Sequence, residues 1–362
     1  MDTSFDVIVI GAGMAGATVA AELSQDLRVC LLEREAQPGY HTTGRSAALF
    51  SKSYGPAIIR ALSRASEAAM QPYLSPRGEL FVARADQEAH VAALHTELGD
   101  AVTPIAGAQM RELIPILRES HAAFGLHDGS AADIEVHGLH QAALKRLRAN
   151  GGEIALNADV TGLGRVGDDW QVDTPAGSYR APIVVNAAGA WADEIGKQAG
   201  LAPLGLVPKR RTALLVSPPE GVVIDSWPLT VGVEEDFYIK PDAGKLLISP
   251  ADATPSAPCD AQPEEMDIAI CVDRIETAFD LQVRRIEHKW AGLRSFLPDG
   301  GPAAGYDPAA PGFFWLSGQG GYGIQTAPAL ARTAAALVRG TAIPQDIAAE
   351  GVTAEALSPA RF

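Results

Sequence analysis

The sequence predicts an α/β fold, a parallel-sheet domain interleaved with an α+β domain built on an antiparallel sheet. Three observations predict it. The chain opens with an apolar strand, a glycine turn, an apolar helix and a second strand ending in an acid. Two later strands, one in the stretch 181–191 and one at 313–317, again run into small or glycine-rich residues. Between these returns, short strands about a turn at 241–244 read as a hairpin of an antiparallel sheet.

The opening motif carries the most chemistry. Gly11 lets the chain turn sharply off the first strand, Gly13 lets backbone approach a pyrophosphate, and Gly16 lets the helix pack close to the sheet. Met14 and Ala15 start that helix, whose free N–H groups and positive dipole end face the phosphates. Glu33 stands about 20 residues after the first glycine, where a carboxylate accepts hydrogen bonds from ribose hydroxyls. That acid disfavours a 2′-phosphate, leaving NAD or FAD. Arg34 and the polar loop with Thr42, Thr43, Arg45 and Ser46 suit a cofactor that reaches further into the protein, which favours FAD. No cysteine or histidine stands at an obvious attachment position, so FAD is expected to bind without a covalent bond.

Composition narrows the partners. The 362 residues are 47% hydrophobic, enough for a large core and two domains. A net charge of −15 argues against a nucleic-acid surface and against anionic membrane, and is compatible with a cationic substrate. Cys30, Cys259 and Cys271 show neither a disulfide framework nor metal spacing, so no metal is expected and a reducing cytoplasm fits. Asp2 and Asp6 stand where a signal peptide carries basic residues, and no run of about 18 apolar residues marks a transmembrane segment. Peripheral membrane association stays open.

In chain order, residues 56–70 read as a helix, 79–83 as a strand, 86–98 and 110–114 as helices. The chain leaves the first domain near Leu74 and returns near Ala132. Residues 137–150 form an amphipathic helix stopped by Asn150-Gly151-Gly152. Short strands follow at 153–156, 160–166 and 170–174. A buried strand then runs into Ala187, Ala188, Gly189 and Trp191, where small residues permit backbone contact with a cofactor. From Pro203 the chain departs again. Residues 211–217 read as a strand, 238–240 and 245–249 as a hairpin about a turn at 241–244, and 264–279 as a helix. It returns near Trp290. The last strand leads through Gly320, Gly321, Tyr322 and Gly323 to a helix beginning at about Ile324, whose positive end suits the N1–C2=O edge of a flavin. The expected division is 1–74, 132–202 and 290–362 for a Rossmann-like FAD-binding domain, and 75–131 and 203–289 for a substrate-binding domain.

Together the glycine motif, Asn186-Ala187-Ala188-Gly189-Ala190-Trp191, Gly292-Leu293-Arg294 with Pro298-Asp299-Gly300, and Gly320-Gly321-Tyr322-Gly323 resemble the FAD-dependent D-amino acid oxidase/glycine oxidase superfamily over nearly the whole chain. Residues 32–41, 208–213, 237–244 and 290–296 are most similar to its bacterial D-arginine dehydrogenase group. The resemblance implies oxidative deamination of a D-amino acid, basic or apolar, to a 2-keto acid and ammonia, by hydride transfer from Cα to flavin N5. The electron acceptor, oxygen or a quinone or electron carrier, is not specified.

The resemblance also implies roles. Arg294, in a Gly292-Leu293-Arg294 loop, and Arg211, opening a strand, match a bidentate clamp for the α-carboxylate. Tyr54 and Tyr238 border the pocket. Glu79 matches the carboxylate that receives a cationic side chain. Ser51, Leu229, Val231, Gly321 and Gln325 match substrate contacts, and Val160, Gly292, Gly321, Tyr322, Gly323, Ile324 and Gln325 match flavin contacts. No dedicated catalytic base is evident. Leu49 and Leu229 depart from the histidine and methionine of the D-arginine group, which makes the wall more apolar. Other superfamily members oxidise N-methyl glycines, imino acids or 2-hydroxy acids. A non-catalytic FAD-binding partner protein is the rival from another class, and the retained arginines and tyrosines argue against it.

Overall fold

The structure, a computed structural model, describes residues 4–362; Asp2 lies outside them. Its mixed α/β architecture rests on two large sheets. The first has six strands in the order Ala303–Tyr306, Phe313–Ser317, Ile183–Asn186, Val7–Ile10, Val29–Leu32 and Glu153–Ala155. All neighbours are parallel except the first pair. Both faces are covered, which explains the unbroken apolar runs. Val7 and Val9 pack with the helices Met14–Leu23 and Ala327–Val338, while Ile8 and Ile10 pack with Trp170, Val184 and Trp315 on the opposite side. The helix Val136–Ala149 adds Leu144 and Leu147 to the first cluster, and Gly151 past its end takes φ +85° as its C-terminal glycine requires.

The second sheet has nine strands. Their order is Gln319–Gly320, Ile286–Phe296, Val207–Val216, Lys245–Ser249, Tyr238–Asp242, Leu229–Gly232, Glu79–Ala83, Phe124–Asp128 and Thr103–Ile105. Only Leu229–Gly232 and Glu79–Ala83 pair in parallel. The expected hairpin at 238–249 is present with a tighter turn. Ala243 and Gly244 take φ +48° and +75°, the left-handed pair whose twist matches the flanking strands.

Three local expectations are corrected. Gly292-Leu293-Arg294 is not a loop but the interior of the Ile286–Phe296 strand. Arg211 lies in the middle of Val207–Val216 instead of opening it. The two strands pair along their length, with Arg211 opposite Gly292 and Lys209 opposite Arg294. A Cβ on Gly292 would stand 3.5 Å from the Arg45 Cβ, an ordinary contact distance. The third correction concerns the last long helix, which begins at Ala327 and not at Ile324. Pro328 occupies its first turn, where no N–H is needed, and residues 323–326 form a turn before it.

Candidate active site

The glycine motif forms the cradle the sequence predicts. Gly11 has φ +98°, and a Cβ there would stand 2.6 Å from the Ala187 carbonyl oxygen. A Cβ on Gly16 would stand 1.8 Å from the Gly11 oxygen, so helix and turn close only without one. Above Gly13 a Cβ would meet only Thr43 Oγ1, at 3.3 Å. A helix start with no side-chain cap at Gly13 leaves N–H groups for an anionic ligand. Thr43 Oγ1 accepts from the Met14 N–H at 2.9 Å. Glu33 is buried at the end of its strand, and its carboxylate accepts from Ala12 N at 2.9 Å and Glu35 N at 3.0 Å. Burial raises its pKa and these two hydrogen bonds oppose the rise. Each carboxylate oxygen keeps acceptor capacity for a ribose.

Arg34 stacks 4.9 Å over the Trp191 ring, and the His41 ring lies 4.8 Å from the same indole. His41 Nε2 pairs with Glu35 Oε1 at 2.9 Å while its buried Nδ1 has no protein partner. In the sequence His41 opens the polar loop that suits FAD, and nothing local gives it an individual role. Thr42 Oγ1 donates to Leu293 O at 2.8 Å, and Arg45 Nη1 donates to Ala291 O at 2.9 Å and Ala261 O at 3.0 Å. These two residues therefore tie the loop to the nine-stranded sheet. Ser46 Oγ accepts from Ala48 N at 3.1 Å within the same loop. The open cradle, the buried acid and the orphaned imidazole nitrogen fit a dinucleotide.

One cavity continues from this cradle to the face of the nine-stranded sheet. Val160, Ala188, Gly189, Gly292, Gly323, Ile324 and most other expected residues line it. Gly16, Ser51 and Tyr322 do not. They back it: Gly16 through helix packing, Ser51 beneath Glu79, and Tyr322 edge-on to Tyr54 with ring centres 4.8 Å apart.

The alternation of strands explains the substrate face. Arg211 opposes Gly292, Tyr238 opposes Val231, Val231 opposes Phe81, and Leu229 opposes Glu79. Residues two apart on a strand share a face, so Arg211, Arg294, Tyr238, Leu229, Val231, Phe81 and Glu79 form one row toward the cavity. Arg294 Nη1 donates to Tyr54 Oη at 3.2 Å. A Cβ on Gly321 would stand 2.6 Å from the Arg294 Cζ, so a glycine is needed where the guanidinium lies. Arg211 Nε donates to the Asp252 carbonyl at 2.8 Å. Burial and the like charge of Arg294 lower the Arg211 pKa. Among the described residues neither guanidinium forms an ion pair. Two sequestered cations facing each other are a receptor for a carboxylate.

Gln325 is buried and both ends of its amide are engaged, Oε1 by Ser51 N at 3.1 Å and Nε2 by Ser63 Oγ at 2.9 Å. It lines the cavity while holding the 51–54 segment in place. At the far end of the row Glu79 is buried beside Leu49, Phe81, Leu229 and Val231. Arg77 points elsewhere, to Asp133 Oδ2 at 2.6 Å and the Trp227 carbonyl at 3.0 Å. No basic side chain pairs with Glu79 among the described residues. Its pKa is pushed up to about 7 by burial, with the charges of Asp128 and Glu235 adding to the rise and Ser51 opposing it. Glu235, which also lines the cavity, escaped the sequence reading; it sits at φ +52° just past the Leu229–Gly232 strand, with no motif around it.

The sequence profile of the DAO family, described as FAD dependent oxidoreductase, matches residues 6–337. Glycine oxidase of Geobacillus kaustophilus is 24% identical over 98% of both chains, and glycine oxidase of Pseudomonas aeruginosa is 29% identical over 92% of this chain and 94% of its own. Dimethylglycine dehydrogenase of Mus musculus is 32% identical over 39% of this chain, but the match spans only 17% of that longer protein. Two solved structures share the fold. Glycine oxidase from Geobacillus kaustophilus superposes with a TM-score of 0.81 at 22% identity over 94% of this chain and 95% of its own. FAD-bound L-α-glycerophosphate oxidase from Mycoplasma pneumoniae gives 0.84 at 18% identity over 93% and 95%. No helix among the described residues is long and apolar enough to cross a membrane. With its glycine cradle, its buried Glu33 and a family match across nearly its whole length, the chain belongs to the DAO family of FAD-dependent oxidoreductases, and FAD is its cofactor.

Proposed function

We infer that the protein oxidises the Cα–N bond of D-amino acids, basic ones first and apolar ones close behind. The observation that carries this reading is the single row of side chains running from two arginines to a buried Glu79, none of which forms an ion pair among the described residues. Arg294 and Arg211 hold the α-carboxylate, with Tyr54 and Tyr238 beside it. Glu79 and the apolar wall take the side chain. Bound FAD supplies a hydride acceptor for the Cα–H. The arginine pair orients Cα, and the amine must be neutral for its lone pair to form the C=N bond as hydride leaves. Water then hydrolyses the imine to a 2-keto acid and ammonia. Orientation supplies most of the protein's contribution, since no side chain stands out as a base. The D configuration rests on the similarity of residues 32–41, 208–213, 237–244 and 290–296 to D-arginine dehydrogenases. In this reading residues 1–74, 132–202 and 290–362 bind FAD, and 75–131 and 203–289 bind substrate. The three unbridged cysteines fit a cytoplasmic protein.

The test is anaerobic bleaching of the oxidised flavin by a panel of D- and L-amino acids, sarcosine and 2-hydroxy acids. Rapid bleaching by D-arginine, D-lysine, D-methionine and D-leucine is expected. Bleaching by L-amino acids or 2-hydroxy acids alone would discard the substrate assignment and leave the family placement intact. FAD itself is expected in the yellow supernatant after acid precipitation, because no cysteine lines the cavity. A pellet that stays yellow would show a covalent link.

A further inference from the structure

Glu79 is not an isolated acid. Asp128 stands directly opposite it on the neighbouring antiparallel strand, and the two are 5% and 2% exposed. Two serines join them. Glu79 Oε2 lies 2.8 Å from Ser51 Oγ, Ser51 Oγ lies 2.7 Å from Ser53 Oγ, and Ser53 Oγ lies 3.1 Å from Asp128 Oδ2. These three contacts need three protons. The serine hydroxyls supply two. The third is supplied when one carboxyl is protonated, giving a directed chain of hydrogen bonds from that carboxyl to the other carboxylate. With both acids ionised, one buried contact joins two acceptors with no proton between them, which is costly.

The surroundings decide which acid carries the proton. Asp128 Oδ1 also accepts from Ser130 N at 2.8 Å and Ser130 Oγ at 2.7 Å, so its negative charge is well satisfied. Among the described residues Glu79 has no other hydrogen-bond donor than the two serines, at 2.8 Å and a long 3.5 Å. The other charged groups around it add no compensation. Glu235 contributes a like charge, the Leu229–Gly232 strand brings no ionisable group, and Arg77 and Lys240 are both committed to Asp133. The arginine pair stands at the opposite end of the row and is committed to the α-carboxylate.

We propose that Asp128, acting through Ser53 and Ser51, keeps one proton on Glu79 in the empty pocket, so that the pocket meets an apolar side chain as a neutral wall and a cationic side chain as a carboxylate. A cation arriving at Glu79 replaces the proton, which leaves to solvent. The chain is then left with its two serine protons, and the cation's charge and N–H groups at Glu79 offset the contact that lacks a proton. Asp128 and Ser53 are positioning residues for specificity. This inference rests on the reading of Glu79 as the side-chain end of the substrate pocket.

The test uses the oxidised holoenzyme and two carboxylates without an α-amine, 5-guanidinopentanoate and hexanoate, titrated by flavin absorbance between about pH 5.5 and 8.5. Neither compound titrates appreciably in that range. In the wild type, affinity for the guanidino compound is expected to fall about tenfold per pH unit below pH 7, with close to one proton released per molecule bound near pH 6. Hexanoate is expected to show no such fall. In Asp128→Asn and Ser53→Ala the fall for the guanidino compound is expected to move to lower pH, with less proton release at pH 6. Parallel profiles for the two compounds, unchanged profiles in both variants, or no binding of the guanidino compound at the highest pH would overturn the proposal. Proton-linked binding without bleaching by any basic D-amino acid would keep the switch and discard the D-amino acid substrate.

Discussion

Arg294→Met is expected to lower kcat/KM for D-amino acids on the order of 10²-fold or more while leaving the FAD content unchanged. The side chain leaves the Ile286–Phe296 strand toward the cavity and lies over Gly321, where a Cβ would stand 2.6 Å from its Cζ. Among the described residues its one hydrogen-bond partner is the Tyr54 hydroxyl at 3.2 Å, so most of its hydrogen-bonding capacity faces the cavity. Methionine fills similar volume without the charge, which protects packing. The loss combines a charge-assisted bidentate contact with misalignment of Cα, so kcat is expected to fall along with affinity. Arg211→Met is expected to show a smaller loss, because Arg211 also ties the sheet to the 250–255 loop through the Asp252 carbonyl. Near-normal turnover by Arg294→Met, with FAD bound, would make Arg294 a structural residue and remove the clamp from the mechanism.

The parts of this site that were readable in the sequence are those a local backbone demand creates. Gly11 and Gly16 are required by contacts with Ala187 and with each other, and Glu33 follows from the length of a strand–helix–strand unit. Arg294 was assigned from its motif, although its setting was misread. Gly292 and the nearby Pro298 resemble loop punctuation, and only the long-range pairing of Ile286–Phe296 with Val207–Val216 makes the segment a strand. Asp128 and Glu235 could not be found this way. Each is an ordinary acid beside a turn, and its importance comes from the tertiary placement of Glu79 between neighbouring strands. Gln325 shows the reverse case, since its motif position pointed to flavin and substrate while its amide is occupied in holding Ser51 and Ser63.

Glu79→Leu is expected to weaken basic D-amino acids by about 1–3 kcal/mol, roughly 5–150-fold, the range for a lost hydrogen bond to a charged group. Apolar D-amino acids are expected to be spared or improved. Leucine at this position joins Leu49, Phe81, Leu229 and Val231 in a continuous apolar wall, and it removes a buried carboxyl that only serine hydroxyls satisfy. The wild-type protein tolerates that carboxyl because its pKa, near 7, lets it stay protonated beside an apolar side chain. Above that pH an unpaired charge must be buried with each apolar substrate, so the advantage of Glu79→Leu for leucine or methionine substrates should grow as pH rises through 7. The comparison is kcat/KM for D-arginine and D-leucine in both proteins at pH values on either side of that point. Equal losses for both substrates would assign Glu79 to the fold, through the serines that link it to Asp128, and not to the choice of side chain.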